Sequence, residues 1–128
     1  MADPHEEGLE VFREMMPGLI PEGVTSLRDG GFAEELGDMT IDHVFGALWT
    51  RPGLDRRSRS LVTLGALVAL RAGEELKFHF PIALRNGLSV EEVEEVIYHL
   101  AAYAGYPAAA SARKIAQDVL SGPTTTST

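Results

Sequence analysis

The chain has 128 residues, long enough for one domain with a hydrophobic core and too short for two of ordinary size. Its 11 basic and 19 acidic residues give a formal charge of −8, which works against a broad nucleic-acid surface but leaves room for a local basic pocket. It has no cysteine, so disulfides, thiolate metal sites and cysteine nucleophiles or redox pairs are excluded.

The N-terminus, MADPHEEGLE, is acidic and lacks both a basic n-region and an apolar h-region, so no signal peptide is expected. The longest apolar stretch, Leu61 to Leu70, is interrupted by Thr63 and Gly65 and is too short to span a bilayer. These features predict a soluble cytoplasmic protein with no membrane and no nucleic-acid partner.

A first helix is expected from Pro4 to Met16, closed by Pro17-Gly18, with His5 in a mobile N-terminus. The breaker-rich PGLIPEGVTSLRDGG reads as loop, and Gly31 to Gly37 as a short helix. Thr40 to Trp49 is amphipathic, with Ile41, Val44, Phe45 and Leu48 on one face, and it stops at Arg51-Pro52-Gly53. His43 is expected to face solvent.

The second half carries firmer boundary signals. Asp55 is an N-cap for a helix from Arg56 to about Arg71, with Gly73 as its C′ stop. A helix from Glu74 to Arg85 closes at Asn86-Gly87. Ser89 and Glu92 form a capping box that opens a helix to about Ala104, ended by Gly105. Pro107 opens a last helix to Leu120. No stretch reads as a strand ladder. The expected fold is all-α, a bundle of six to eight helices forming one domain over residues 1–120, with a flexible tail over 121–128.

Glu75 and His79 are four residues apart, so their side chains lie about 40° apart on one helix face. A carboxylate there favours the imidazolium and can fix which ring nitrogen holds the proton. The pair reads as a structural i,i+4 contact or as the acid/base group of an active site, and spacing alone favours the first. Pro81, inside the same helix, deprives the Lys77 carbonyl of its amide donor and bends the helix near His79. Arg51, Arg56, Arg57 and Arg59 concentrate positive charge in an acidic chain. Guanidinium groups suit a ligand carboxylate; alternatively they pair with the Glu91–Glu95 run or face water. Trp49, Tyr98 and Tyr103 read as packing residues, and His99 as a core or interface residue. Glu75, His79 and His99 lack the helical His pair that would argue for a metal, and none is expected.

Three segments together resemble the carboxymuconolactone decarboxylase family, which shares the alkylhydroperoxidase D-like helical fold. They are Trp49-Thr-Arg-Pro-Gly-Leu-Asp-Arg-Arg-Ser-Arg-Ser-Leu-Val-Thr-Leu64, Glu75-Leu-Lys-Phe-His79 with Ala83-Leu-Arg-Asn-Gly-Leu-Ser89, and Glu91 to Ala109. The peroxidase-like branch has a Cys-x-x-Cys-x-x-x-His motif, and His79, eight residues before Gly87, matches its histidine. The cysteine positions fall on Ala72 and Glu75, so dithiol peroxidase chemistry is excluded.

The resemblance therefore implies the thiol-free decarboxylase branch: a cofactor-free lyase acting on a small anionic unsaturated lactone or related enolisable acid. His79 is implied as acid/base catalyst and Glu75 as its orienter, with Arg51, Arg59, Trp49 and His99 against the substrate. It also implies a homo-oligomer, a trimer or hexamer, and a place in aromatic-compound catabolism. The family pattern often carries arginine where this chain has Pro81. That departure keeps two alternatives in view: cyclisation or isomerisation in a biosynthetic pathway, or a non-catalytic oligomeric binding protein.

Overall fold

A computed structural model describes residues 3–121, and the expected tail residues 122–128 lie outside the described residues. Among the described residues there are six α-helices and one π-helix and no strand, as the all-α reading expects. The chain divides into two compact units, residues 1–54 and 55–128.

In unit 1, α1 runs from Pro4 to Met15 and buries Leu9, Val11 and Met15. Pro4 opens it without losing a needed donor, and Glu6 and Glu7 sit favourably against the positive end of the helix dipole. His5, read from sequence as lying in a mobile N-terminus, is instead half-buried on this helix and hydrogen-bonded. The short α2, Glu35–Thr40, begins later than the sequence reading placed it and continues into the π-helix Ile41–Leu48. The amide of Trp49 donates to the Val44 carbonyl at 2.9 Å, one residue further back than in an α-helix. This wider winding changes the buried face. Ile41, Phe45 and Trp49 point inward at every fourth position, while Leu48 turns out to 51% exposure.

Two glycines let α1 and the π-helix touch backbone to backbone. A Cβ on Gly8 would lie 2.2 Å from the Ile41 carbonyl oxygen, and one on Gly46 would lie 2.2 Å from that of Pro4. Neither position tolerates a side chain without moving a helix.

In unit 2, four helices surround an apolar core: α3 Arg56–Leu70, α4 Gly73–Arg85, α5 Val90–Ala104 and α6 Tyr106–Leu120. Leu64, Val68, Leu76, Phe80, Ala83, Val93 and Ile97 fill it. Ala108, Ala109, Ala112 and Ala116 line the inner face of α6, where small side chains permit close approach. Asp55 caps α3 by accepting from the Ser58 amide at 2.7 Å. The Ser89–Glu92 capping box is complete in both directions. Gly105 ends α5 at φ +100°.

The stop expected at Gly73 is corrected. Arg71 takes the left-handed conformation at φ 56°, and Gly73 opens α4, where a Cβ would crowd Ile115 of α6 at 3.2 Å. Tyr98 and Tyr103, expected to pack, are 63% and 80% exposed. Only one face of α5 is needed to cover this core.

Candidate active site

α4 positions the central pair. Leu76, Phe80, Ile82 and Ala83 are buried, which fixes the roll of the helix and sets His79 on the flank of the buried face. The helix runs unbroken through Pro81. His79 is half-buried with Nδ1 shut away from solvent. One turn earlier, Glu75 stands exposed in the first turn. Burial pushes the imidazole below its ordinary value, and the Glu75 charge opposes that shift without cancelling it. His79 is therefore neutral at neutral pH, with one N–H to give and one lone pair to receive. The neighbouring Glu74 is taken up by Lys77, whose Nζ donates at 3.1 Å.

The C-terminal end of α4 is tied to α3 by a hydrogen bond from Asn86 Nδ2 to the buried Ser60 hydroxyl at 3.0 Å. Arg59 precedes Ser60 in the first turn of α3 and is half-buried. Sequence reasoning passed over Ser60 and Asn86; a lone serine and an asparagine before glycine resemble ordinary turn chemistry.

His99 is exposed on α5 rather than in the core. Its ring lies tilted against Tyr103 at 4.9 Å, and it lines an open groove of about 540 Å³ with Arg57, Leu61, Glu92, Glu95, Val96 and Leu100. Arg57 is exposed but not idle: it donates to Glu92 within this chain, joining α3 to the acidic run of α5. The Glu92 carboxyl is held below the usual range first by the Ser89 amide, with Arg57 adding to the effect.

The other two expected substrate residues belong to unit 1. Trp49 is buried, stacked on Phe45 at 6.3 Å, and Phe45 meets Phe12 edge-on at 4.9 Å. Arg51 follows it and is exposed. Among the described residues, no group of three or more His, Asp or Glu side chains is placed to hold a metal ion. Nor, among them, is any helix long and apolar enough to cross a membrane.

Comparison with known proteins bears on the same stretch of chain. The 4-carboxymuconolactone decarboxylase of Acinetobacter baylyi is 34% identical over 116 residues, covering 90% of this chain and 85% of the relative. The nitrosuccinic acid decarboxylase of Metarhizium robertsii is 32% identical over 116 residues, covering 90% of this chain and 80% of its own length. The pattern of the carboxymuconolactone decarboxylase family matches residues 34–118, a span that begins before α2 and contains the whole of α3, α4 and α5. With α4 and its Glu75–His79 pair inside that match, the chain belongs to the carboxymuconolactone decarboxylase family.

Proposed function

We propose that the chain is a cofactor-free carboxy-lyase for a small anionic acid that carries its own electron sink. His79 handles the proton and Glu75 sets the state of its ring. The observation that supports this most is the half-buried, neutral His79 with Glu75 one turn away, inside the stretch matched by a decarboxylase family.

The two relatives are named for acids of different skeleton that share one chemical property. Loss of carbon dioxide leaves an electron pair on carbon. In a carboxymuconolactone that pair moves into the unsaturated lactone as a dienolate; beside a nitro group it becomes a nitronate. In both, charge collects on oxygen and a carbon then takes a proton, so the substrate supplies the sink. The protein has to favour the charged oxygen and deliver the proton.

A neutral imidazole suits the first task, as a hydrogen-bond donor to the oxygen where charge develops. With Nδ1 buried, this falls to Nε2. For the second task the ring uses its other tautomer: with the proton on Nδ1, Nε2 takes a solvent proton as the new negative charge and Glu75 favour the imidazolium, then passes it to carbon and returns to neutral. Arg59 is a guanidinium for a remaining carboxylate, and His99 a second polar contact; Arg51 and Trp49 are targets for substitution in the same assay. We further place the protein in the cytoplasm, in aromatic-compound catabolism, as a trimer or hexamer. The exposed Val62 and Leu70 of α3 and Tyr98 and Tyr103 of α5 support a subunit contact, which sedimentation velocity tests.

The test is release of carbon dioxide from carboxymuconolactone and from nitrosuccinic acid. His79→Ala is expected to lower the rate by about 10²–10⁴-fold with the helical spectrum unchanged, and Glu75→Gln by less. Wild-type rates in His79→Ala would remove His79 from the mechanism. Inactivity of the wild-type protein toward both acids would sink the decarboxylase reading.

A further inference from the structure

Unit 1 holds a histidine that the proposed reaction does not use. His5 projects from the first turn of α1 with its side chain 23% exposed. Its Nδ1 lies 2.5 Å from Asp42 Oδ1 on the π-helix, and its Nε2 lies 2.5 Å from the Thr25 carbonyl oxygen. Both partners are acceptors. A carbonyl has no proton to give, and an ionised carboxylate has none either. A neutral imidazole carries a single N–H and serves one of these atoms while turning a lone pair toward the other. The imidazolium donates to both.

Thr25 belongs to the segment 16–34, which connects α1 to α2 without a helix or strand of its own. Connections of that length without secondary structure are uncommon and are usually either functional or plain linkers. Three side chains fasten this one. Arg13 of α1 donates to the carbonyls of Ile20, Pro21 and Val24 at 3.3, 3.0 and 2.6 Å. Asp38 of α2 accepts from the Leu27 amide and the Ser26 hydroxyl, both at 2.7 Å. His5 holds Thr25 between them. Arginine keeps its charge at any working pH. Asp38 is held below the usual carboxylate range, first by the Leu27 amide, and stays ionised. Only His5 changes charge near neutrality.

We propose that His5 is a proton-operated latch: as an imidazolium it ties segment 16–34 to the π-helix by donating to both Thr25 and Asp42, and on losing its proton it releases Thr25. The Thr25 bond is the one to go because the ionised Asp42 is the stronger acceptor. The charged groups facing His5 are Asp42 from the π-helix and Asp38 from α2, and both favour the imidazolium. Arg28, the segment's own cation, is turned toward Glu35 and Asp38, 3.9 Å from each. The Thr25 carbonyl and the Asp42 carboxylate raise the ring above its ordinary value, and partial burial opposes them. None of these groups takes part in the proposed reaction, so the latch stands or falls separately.

The test uses the full chain, with NMR titration of the His5 ring and hydrogen-exchange protection of amides 16–34 from pH 5 to 9. His5 is expected to titrate above 6.5, and protection in the segment to fall about tenfold through the same midpoint. His5→Gln should give low protection that no longer depends on pH. Asp42→Asn should lower the midpoint while keeping the dependence. A His5 midpoint at or below 6.5 would overturn the latch. So would protection that follows pH equally in wild type and His5→Gln; should that variant fail to fold, coincidence of the two wild-type midpoints decides.

Discussion

His5 in unit 1 and His79 in unit 2 both project from helices and are both half-buried, yet their surroundings move them in opposite directions. His5 has an acceptor against each ring nitrogen, so its charged form is favoured. On His79, burial dominates and Glu75 only moderates it, so the neutral form is favoured. The same contrast runs through the units around them. Unit 2 is organised by an apolar core under four helices, two of which, α3 and α5, are capped by side chains. Unit 1 adds to its buried Leu9, Met15, Ile41 and Phe45 two close glycine contacts and polar side chains that reach backbone carbonyls of an irregular segment. A half-buried histidine is thus not one kind of group. What its nitrogens face decides whether it acts as a switch or as a neutral donor.

The largest expected effects test this division directly. Phe80 is completely buried in unit 2, and Phe80→Ala should cost about 3–5 kcal/mol through the cavity it leaves. Gly46→Ala should instead damage unit 1, by about 1–3 kcal/mol or more, because the new methyl meets the Pro4 carbonyl oxygen. The chain carries its own reporters: the single tryptophan, Trp49, lies in unit 1 and all three tyrosines lie in unit 2. Denaturant unfolding followed by Trp49 fluorescence should shift in Gly46→Ala. If Phe80→Ala moved the Trp49 signal and the unit 2 signal equally, the two regions would be one cooperative body and the contrast would lose its meaning.

The pH profile sharpens the comparison next. The folded value of His5 is raised, so its contribution is fully present below 6.5 and is lost as pH rises through that folded value. The folded value of His79 is lowered, so its contribution is present above 6.5 and is lost as pH falls through that folded value. These two groups together place a stability maximum near pH 6.5. In denaturant midpoints measured across pH, His5→Gln should flatten the alkaline limb and His79→Gln the acid limb. A variant that flattened the opposite limb would reverse the assignment of the two rings.

The sequence made unit 2 far more legible than unit 1, for physical reasons. Asp55, Ser89 with Glu92, Gly105 and Pro107 act on residues within a few positions of themselves, so their effect can be read locally. Where the reading of unit 2 failed, at Gly73, the need for glycine came from Ile115 on another helix. Unit 1 is built from such distant relations. His5 finds partners 20 and 37 residues away, and Gly8 and Gly46 are required by carbonyls of each other's helices. The π-helix keeps the apolar residues that a 3.6-residue pattern predicts but rotates Leu48 outward. In the candidate site, the Glu75–His79 spacing was visible because it lies within one helix. The pKa direction of His79 was not, because it comes from what the rest of unit 2 packs around the ring.

The smallest expected effect bears on whether polar ties matter equally in both regions. Glu92 Oε1 accepts from the Ser89 amide at 2.9 Å, while its own amide donates to the Ser89 hydroxyl at 3.0 Å and its other oxygen accepts from Arg57. All of this is at the surface, over a core that already fixes α5 through Val93 and Ile97. Ser89→Ala should cost about 1 kcal/mol, the ordinary loss of a helix cap. Arg57→Ala should cost less and become indistinguishable from wild type in high salt, because solvent and ions already weaken an exposed pair. Arg13, with three carbonyl partners in unit 1 and no comparable core beneath segment 16–34, should be the more sensitive arginine, with Arg13→Ala read in exchange at amides 16–34. Were Arg57→Ala to destabilise the protein more than Arg13→Ala, unit 2 would also depend on its polar ties, and the apolar core would no longer explain why its helices hold their positions.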